Sequence, residues 1–210
     1  MIIRTKRELD FFIAADRIMN GRPAKRGFKE VLVDGIARGG VIIRYLRAMR
    51  QYAYYANTTK NWQLFRSILR FYWGRKFRGL GMQLGFSIGH NSLGYGVKIP
   101  HYGTIVVNGE AAIGNFAVLH SCTCIAGKKT IGNYLYLSTG SQITGNIELG
   151  DGITVAAHSL VNQSSEGHVL LAGAPAEVKK KDYPLWPDRD GEQFVKQISK
   201  VIKLKDKMLS

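Results

Sequence analysis

Between residues 107 and 161 of this 210-residue chain, an aliphatic residue recurs at every sixth position without interruption. The ten positions are Val107, Ile113, Leu119, Ile125, Ile131, Leu137, Ile143, Leu149, Val155 and Val161. Aliphatic side chains occupy roughly a quarter to a third of the positions of an ordinary protein, so ten in register lie far beyond chance. A fixed short period is typical of solenoid proteins, in which each repeat packs only against its neighbours.

The hexads also carry turn residues and small residues at constant places. Glycine follows the aliphatic residue at Gly114, Gly132 and Gly150, and small residues recur four positions after it. This arrangement predicts a triangular parallel β-solenoid with three hexads per coil, in which equivalent side chains stack at the strand spacing of about 4.8 Å. The predicted columns are Leu119, Leu137 and Val155; Val107, Ile125, Ile143 and Val161; and Ile113, Ile131 and Leu149.

The chain before the repeats is basic and has helical periodicity. Residues 1–80 hold 18 Lys and Arg against 5 Asp and Glu, a net charge of +13, while the whole chain carries +15. Residues 81–170 hold 3 basic against 4 acidic residues, a net charge of −1. Apolar residues at three-to-four spacing predict helices over 6–19, 28–57 and 61–80.

These shifts divide the chain into three parts. We expect an α-helical N-terminal region over 1–80, a hexapeptide-repeat domain over 81–178 and a C-terminal extension over 179–210. The extension has apolar residues at helical spacing over 188–209, which predicts a helix there. Because the open ends of a solenoid need caps, we expect the N-terminal helices to cover one end and the C-terminal helix the other.

The third predicted helix combines aromatic with basic residues. Trp62, Phe65, Leu69, Tyr72 and Trp73 share one of its faces. Aromatic residues at helical spacing usually form core, so we expect this face to be buried. The basic N-terminal region also suits contact with a membrane surface or another acidic partner. No RNA- or DNA-binding motif accompanies the charge, so nucleic acid is not an expected partner.

The cysteine content and the hydropathy exclude several classes of protein. Cys122 and Cys124 are the only cysteines, and their spacing suits neither a mutual disulfide nor a Cys-x-x-Cys metal site. We therefore expect free thiols in a reducing compartment. No stretch approaches 18 uninterrupted apolar residues, and the first residues lack the apolar core of a signal peptide. The expected location is the cytoplasm.

The repeats and their flanking segments resemble a known family. The hexads end in the segment Ala172-Gly173-Ala174-Pro175-Ala176, which is similar to the closing segment of the left-handed parallel β-helix acyltransferases with hexapeptide repeats. The run IPHYGTIVVNG over 99–109, after a helical region, resembles the serine O-acetyltransferases and their relatives in polysaccharide gene clusters. The resemblance implies a left-handed coil, a homotrimer, and acetyl transfer from acetyl-CoA to a hydroxyl of L-serine or a sugar.

The resemblance also implies the catalytic residues. His101 occupies the position of the family's catalytic histidine, and a histidine with a pKa of about 6.5 suits a general base that takes a proton from the attacking hydroxyl. His120, nineteen residues later, is expected about one coil further along the same cleft, as a second catalytic residue or a contact to the acceptor. The family usually has a carboxylate about fifteen residues before the histidine, where this chain has Ser87. Glu110 or a backbone carbonyl is the expected substitute.

For the co-substrate, the resemblance implies a groove between subunits in which the pantetheine of acetyl-CoA lies against small residues at the coil corners. The matching positions are Ala126, Gly127, Ser138, Thr139, Gly140, Ala156, Ala157 and Gly173. Lys179 and Lys180 follow the closing segment and are expected to meet the 3′-phosphate, with a solvated tail as the alternative. No metal is expected.

The identity of the acceptor stays open between two classes. Serine acetyltransferases carry a basic, histidine-containing loop that grips the carboxylate of the amino acid, and here the loop is shortened to Ala126–Ile131 with Lys128 and Lys129. A sugar hydroxyl, as in polysaccharide biosynthesis, is therefore an alternative to L-serine in cysteine biosynthesis. A catalytically decayed scaffold is a further alternative. A zinc carbonic anhydrase on the same fold would need three converging histidines, and the histidine spacing argues against it.

Overall fold

The architecture described here is that of a computed structural model, which describes residues 2–25, 27–36, 39–60 and 62–210. The chain opens with four helices: α1 (Lys6–Met19), α2 (Phe28–Ile36), α3 (Gly40–Thr58) and α4 (Leu64–Leu84). A capping box starts α1, because the Thr5 hydroxyl accepts from the Glu8 amide at 3.1 Å and the Glu8 carboxylate accepts from the Thr5 amide at 2.8 Å.

The single helix predicted over 28–57 is wrong, since α2 and α3 are separate helices. The backbone carbonyl of Asp34 lies where a Cβ of residue 40 would stand, so only glycine fits at Gly40. This close approach folds α2 back at the start of α3. Residues 37 and 38, which the prediction included, lie outside the described residues.

Thirteen short strands follow within the described residues. They are β1 (Phe86–Ile88), β2 (Ile105–Val107), β3 (Ala112–Ile113), β4 (Val118–Leu119), β5 (Thr123–Ile125), β6 (Thr130–Ile131), β7 (Tyr136–Leu137), β8 (Gln142–Ile143), β9 (Glu148–Leu149), β10 (Thr154–Val155), β11 (Leu160–Val161), β12 (Leu170–Gly173) and β13 (Ala176–Lys180). Two helices, α5 (Trp186–Asp190) and α6 (Glu192–Leu209), end the chain.

The strands form the three faces of a parallel β-solenoid of about five turns, which confirms the fold predicted from the hexads. The first sheet has the order β1-β2-β5-β8-β11, the second β13-β12-β10-β7-β4 and the third β3-β6-β9. All pairings are parallel except β12 with β13, a final antiparallel pair. The strand register places Val107 opposite Ile125, Ile113 opposite Ile131, and Leu119 opposite Leu137, so the three predicted columns are confirmed.

The C-terminal helix forms as predicted, but its predicted position is wrong. Instead of covering the far end of the solenoid, α6 returns to the first coils and packs against α1, with Ile198 and Val201 buried in the same cluster as Phe11. Trp186 is the anchor of this return: it is 1% exposed, and its Nε1 donates to the carbonyl of Phe116 at 2.9 Å. Because this large indole is buried on the second coil, α6, which follows it, is placed beside α1.

Most of the predicted aromatic face is exposed, contrary to the prediction: Trp62, Phe65 and Tyr72 face solvent, whereas Leu69 is half-buried and Trp73 is partly buried against the core. The packed face of α4 consists of Gly74, Phe77, Leu80, Gly81 and Leu84. A Cβ at 74 would stand 3.0 Å from the Tyr52 ring of α3, and one at 81 would stand 2.8 Å from the carbonyl oxygen of residue 86. The two glycines, seven residues apart, allow close packing on one face and thereby turn the aromatic stripe outward.

No described helix is both long enough and apolar enough to cross a membrane.

A buried ion pair joins the N-terminal helices to the start of the solenoid. Arg50 of α3 is 1% exposed, and its Nε donates to the carboxylate of Asp16 of α1 at 2.8 Å. The guanidinium also donates to the carbonyl of Leu93 at 2.7 Å, and the Asp16 carboxylate accepts from the amide of Val97 at 3.0 Å. The pair therefore satisfies backbone groups of the first coil that strand pairing leaves open.

We predict that Arg50→Met lowers the free energy of unfolding by about 3 to 5 kcal/mol, because Asp16 would keep an uncompensated buried charge. Lys6→Met is the matched control, since it breaks an exposed pair with Asp10 that contributes less than about 1 kcal/mol. Urea denaturation of both variants measures the difference. A loss below about 1 kcal/mol in Arg50→Met would contradict the anchoring role.

Candidate active site

An enlarged corner of the first coil carries His101. Lys98 pairs with Val118 and Ile105 pairs with Thr123, so seven residues separate the paired positions in the first coil and five in the next. The two additional residues lengthen the turn between the second and first sheets. His101 is exposed on this turn. Its ring makes no hydrogen bond within the described ranges of the chain, so its nitrogens are open to a ligand.

The structure brings His101 and His120 together. The centroids of the two imidazole rings lie 6.3 Å apart with an interplanar angle of 41°. His120 follows β4 at the same edge of the solenoid, one coil after His101, and is half-buried. A molecule bound at this edge would therefore meet both rings.

Side chains of the solenoid and of α5 form a connected network behind His120. The Nε2 of His120 lies 3.0 Å from the hydroxyl of Tyr136 on β7. The guanidinium of Arg189 on α5 lies over the Tyr136 ring, 4.6 Å from its centroid. Arg189 in turn donates to Asp190 at 2.7 Å and to the hydroxyl of Thr154 at 3.3 Å. The orientation of His120 thus depends on both the solenoid and α5.

Sequence reasoning missed Tyr136 and Arg189. The sequence contained a signal for Tyr136. Because Tyr136 precedes the inward column residue Leu137, its side chain is expected to face outward, and it lies on the coil that follows His120. Arg189 has no signal in the hexads, since it lies beyond the repeats and reaches the site only through the burial of Trp186. Lys98 was also missed; its ammonium donates to the carbonyl of Met19 at 3.3 Å.

The surroundings of His120 favour its neutral form. Burial lowers its pKa, the charges of His101 and Lys98 act in the same direction, and Asp190 opposes them. Burial likewise lowers the pKa of Lys98 and, together with Asp190, raises that of Tyr136. The pKa of His120 in the folded state lies below its unfolded value of about 6.5, so the unfolded state binds more protons as the pH falls through that value. The free energy of unfolding therefore decreases below about pH 6.5 on account of this residue.

The residues predicted to bind acetyl-CoA lie at two different edges of the solenoid. Ser138, Thr139, Gly140, Ala156, Ala157 and Gly173 share the edge of His101 and His120, where the second sheet turns into the first. Ala126 and Gly127 lie at another edge, after β5 of the first sheet. Gly140 is required at its corner, because its φ is +75° and a Cβ would meet the ring of His158.

The closing lysines stand on the last strand. Lys179 and Lys180 of β13 are exposed, and the Lys179 ammonium pairs with the carboxylate of Glu177 at 2.9 Å. The ammonium of Lys180 lies 5.9 Å from the centroid of the Tyr183 ring. Such an exposed pair holds the Lys179 side chain only weakly, so both ammonium groups are accessible to an anion.

The structure shows no hydrogen bond from Glu110, the proposed orienting residue, to His101, nor from Ser87, which stands at the position of the family's carboxylate. Ser87 faces outward on β1, where it pairs with Val106. Glu110 is exposed at the turn after β2, and its amide donates to Asn108 Oδ1 at 2.8 Å. No hydrogen bond or ion pair joins either side chain to His101 in the part of the chain that the structure describes.

The shortened loop has one free cation. Lys129 is 3% exposed and its ammonium donates to the carbonyl of Gly145, while Lys128 is exposed.

Cys122 and Cys124 are free thiols. Among the described residues, no group of three or more His, Cys, Asp or Glu side chains could hold a metal ion.

Comparison with solved structures identifies the fold. The serine acetyltransferase of Neisseria gonorrhoeae matches with a TM-score of 0.57 and 20% identity, over 84% of this chain and 67% of that one. The fold is that of the serine acetyltransferases. The Neisseria enzyme in complex with serine matches with a TM-score of 0.57 and 18% identity, over 83% of this chain and 70% of that one. A serine acetyltransferase in complex with CoA matches with a TM-score of 0.54 and 20% identity, over 79% of this chain and 67% of that one.

This chain thus spans about two thirds of the length of these structures. No family model and no curated protein matches its sequence.

We predict opposite effects of two substitutions on the pKa of His120. His101→Gln raises it, because a neighbouring positive charge is removed, and Asp190→Asn lowers it, because a favourable negative charge is removed. Titration of the His120 ring protons by NMR measures both changes. Equal pKa values in the two variants would contradict the arrangement of charges around His120.

Proposed function

We propose that the protein is an acetyl-CoA-dependent O-acetyltransferase in which His101 is the general base. The observation that carries the proposal is the enlarged corner between Lys98 and Ile105, the one place before the final coil where the turn from second to first sheet departs from the five-residue spacing. This departure exposes an unpaired imidazole beside His120. The fold shared with serine acetyltransferases, one of them in complex with CoA, supports the same chemistry.

The proposed reaction is a direct acyl transfer. The neutral imidazole of His101 accepts the proton of the acceptor hydroxyl while the oxygen attacks the thioester carbonyl. The tetrahedral intermediate then collapses, the carbon–sulfur bond breaks, and the proton on His101 passes to the leaving thiolate of CoA. Atoms and charges balance without a metal. Backbone N–H groups at the solenoid edge would stabilise the oxyanion.

His120 contributes to the proposed reaction because its imidazole is uncharged and held in one position. A second imidazolium 6.3 Å from His101 would oppose protonation of the base during the reaction. Burial and the charge of His101 favour neutral His120, and its Nε2 is held by the Tyr136 hydroxyl, so the other ring nitrogen is available to the acceptor. We therefore propose that His120 binds the acceptor hydroxyl or a neighbouring polar group.

The proposed acetyl-CoA site requires more than one subunit. The small residues at the His101 edge and the pair Ala126 and Gly127 stand at different edges of one solenoid. Two copies packed side by side can line one groove with both sets, and threefold closure repeats the groove three times. Lys179 and Lys180 supply exposed positive charge for the 3′-phosphate at the closing end of the solenoid.

For the acceptor, the proposal covers the hydroxyl of L-serine or of a sugar. The Lys129 ammonium is bound to the Gly145 carbonyl, so Lys128 is the one cation of the shortened loop that could bind a carboxylate. A single exposed lysine holds an amino acid carboxylate weakly, which favours a sugar hydroxyl as the acceptor. The testing experiment measures release of thiol from acetyl-CoA with L-serine, serine amide and capsular sugars in parallel. Thiol release with none of a broad panel of alcohols would favour the decayed scaffold.

We predict that His101→Ala lowers turnover by about 10² to 10⁴-fold, the usual contribution of a general base. The substitution removes an exposed ring, so the unfolding free energy should change by less than about 1 kcal/mol and the affinity for acetyl-CoA should stay constant. His168→Asn is the control, because it replaces an exposed histidine at a distant corner whose φ of +58° asparagine tolerates. If His101→Ala keeps more than a tenth of the turnover, His120 becomes the candidate base.

We predict a homotrimer in solution. Sedimentation equilibrium at micromolar concentration should give about three times the chain mass of 23.4 kDa. An active, stable monomer would refute the shared groove.

A further inference from the structure

The outer face of α4 is apolar although it faces solvent. We use the name "outer face of α4" for six large side chains that are 51% to 81% exposed. They are Leu64, Phe65, Ile68, Phe71, Tyr72 and Met82. Successive separations of four, three and eleven residues place Leu64, Ile68, Phe71 and Met82 in one stripe on the same side of the helix. Five of the six lie within residues 64–72, about 13 Å of the helix, which is a cluster and not scattered surface hydrophobicity.

Basic side chains surround this stripe. Arg70, Arg75, Lys76 and Arg78 are exposed on α4, and the helix has no Asp or Glu. Between Asp34 and Glu110 the chain contains eleven Lys and Arg and no acidic residue. The guanidinium of Arg75 lies 5.8 Å from the Phe71 ring and the ammonium of Lys76 lies 5.7 Å from the Tyr72 ring, so charge and apolar surface are intermixed.

A cleft continues the outer face toward the solenoid. It has a volume of about 550 Å³ between α4 and β1 and is lined by Phe71, Arg75, Arg78 and Met82 of the helix and by Ser87 of the strand, among others. An apolar wall combined with two guanidinium groups matches a molecule that has an apolar part beside an anionic group. The cleft therefore has the same chemical preference as the outer face.

We propose that the outer face of α4 docks on an anionic phospholipid surface. Aromatic and aliphatic side chains enter the boundary between headgroups and acyl chains, while the arginines and lysine contact the lipid phosphates. Two copies of this face against each other would bring eight exposed cations together without an acidic partner on the helix, which disfavours self-association. Nucleic acid is disfavoured because Leu64, Ile68 and Met82 offer nothing to a phosphate backbone.

The test is co-sedimentation of the full chain with vesicles, which does not depend on the proposed acetyl transfer. The vesicles are pure phosphatidylcholine or phosphatidylcholine with 30% phosphatidylglycerol, at about 0.1 M and 0.5 M salt. We expect binding to the anionic vesicles that is at least tenfold stronger than to the neutral ones and that weakens at high salt. Equal binding to both, or no binding to either, would overturn the proposal.

Two sets of variants locate the surface. Arg70→Gln with Arg75→Gln and Lys76→Gln should weaken binding about a hundredfold, since each basic side chain near an anionic membrane contributes roughly fivefold. The control removes the same charge from α6 through Lys200→Gln, Lys203→Gln and Lys207→Gln, which are all exposed. Equal loss in both sets would show nonspecific attraction and overturn the assignment to α4.

The apolar stripe is tested in the same way. Ile68→Ser with Phe71→Ser should weaken vesicle binding by more than tenfold, whereas Val195→Ser with Ile202→Ser, exposed on α6, should leave it unchanged. Thermal melting verifies that each variant is folded. Sedimentation velocity without lipid gives the remaining outcome: if Ile68→Ser with Phe71→Ser dissociates an assembly and the wild type does not bind vesicles, the face is an interface between copies of this chain.

Discussion

The stacking of aliphatic side chains at the strand spacing is the constraint on which the rest of the structure depends. Because each column needs its residues in register, every coil must return to the same three corners, and small residues at those corners also become stacked. Val107, Ile125 and Ile143 follow this rule at 18-residue intervals. A departure from the period therefore changes only the corner in which it occurs, and the additional residues after Lys98 lengthen the turn that carries His101 without disturbing the columns.

The candidate site at this edge is built from two distant parts of the chain. The solenoid supplies the two histidines and Tyr136, and the C-terminal segment returns to place Arg189 over the Tyr136 ring. Trp186 makes the return possible, since its indole is buried and its N–H is satisfied by a backbone carbonyl. The same return buries one side of α6 against α1, so the N-terminal helices, the C-terminal helix and the site are mechanically connected through one packed cluster.

The N-terminal helices face two environments. On the inner side, the pair of Arg50 and Asp16 replaces missing strand partners of the first coil, which is the open end of a solenoid and would otherwise expose backbone groups. On the outer side, α4 keeps six large apolar side chains in contact with solvent because Gly74 and Gly81 permit close packing on the opposite face. Positive charge is concentrated here while the repeat domain is nearly neutral, so long-range attraction of an anionic surface would orient the protein by this end.

The hexad period by itself determined the solenoid, its three columns and the places of its corners, because repeat architectures depend on contacts between neighbouring coils that recur at a constant sequence distance. The resemblance carried by the segment around His101 pointed to the candidate base. Only the tertiary structure decided that α2 and α3 are separate, that most of the aromatic face of α4 is exposed, and that Arg189 reaches Tyr136. Each of these depends on a contact between residues without a fixed spacing, such as the Asp34 carbonyl against Gly40 or the indole of Trp186 on the second coil. Periodicity identifies which residues form a helix or strand. Which face of that element is buried depends on the neighbouring element that packs against it in the folded chain.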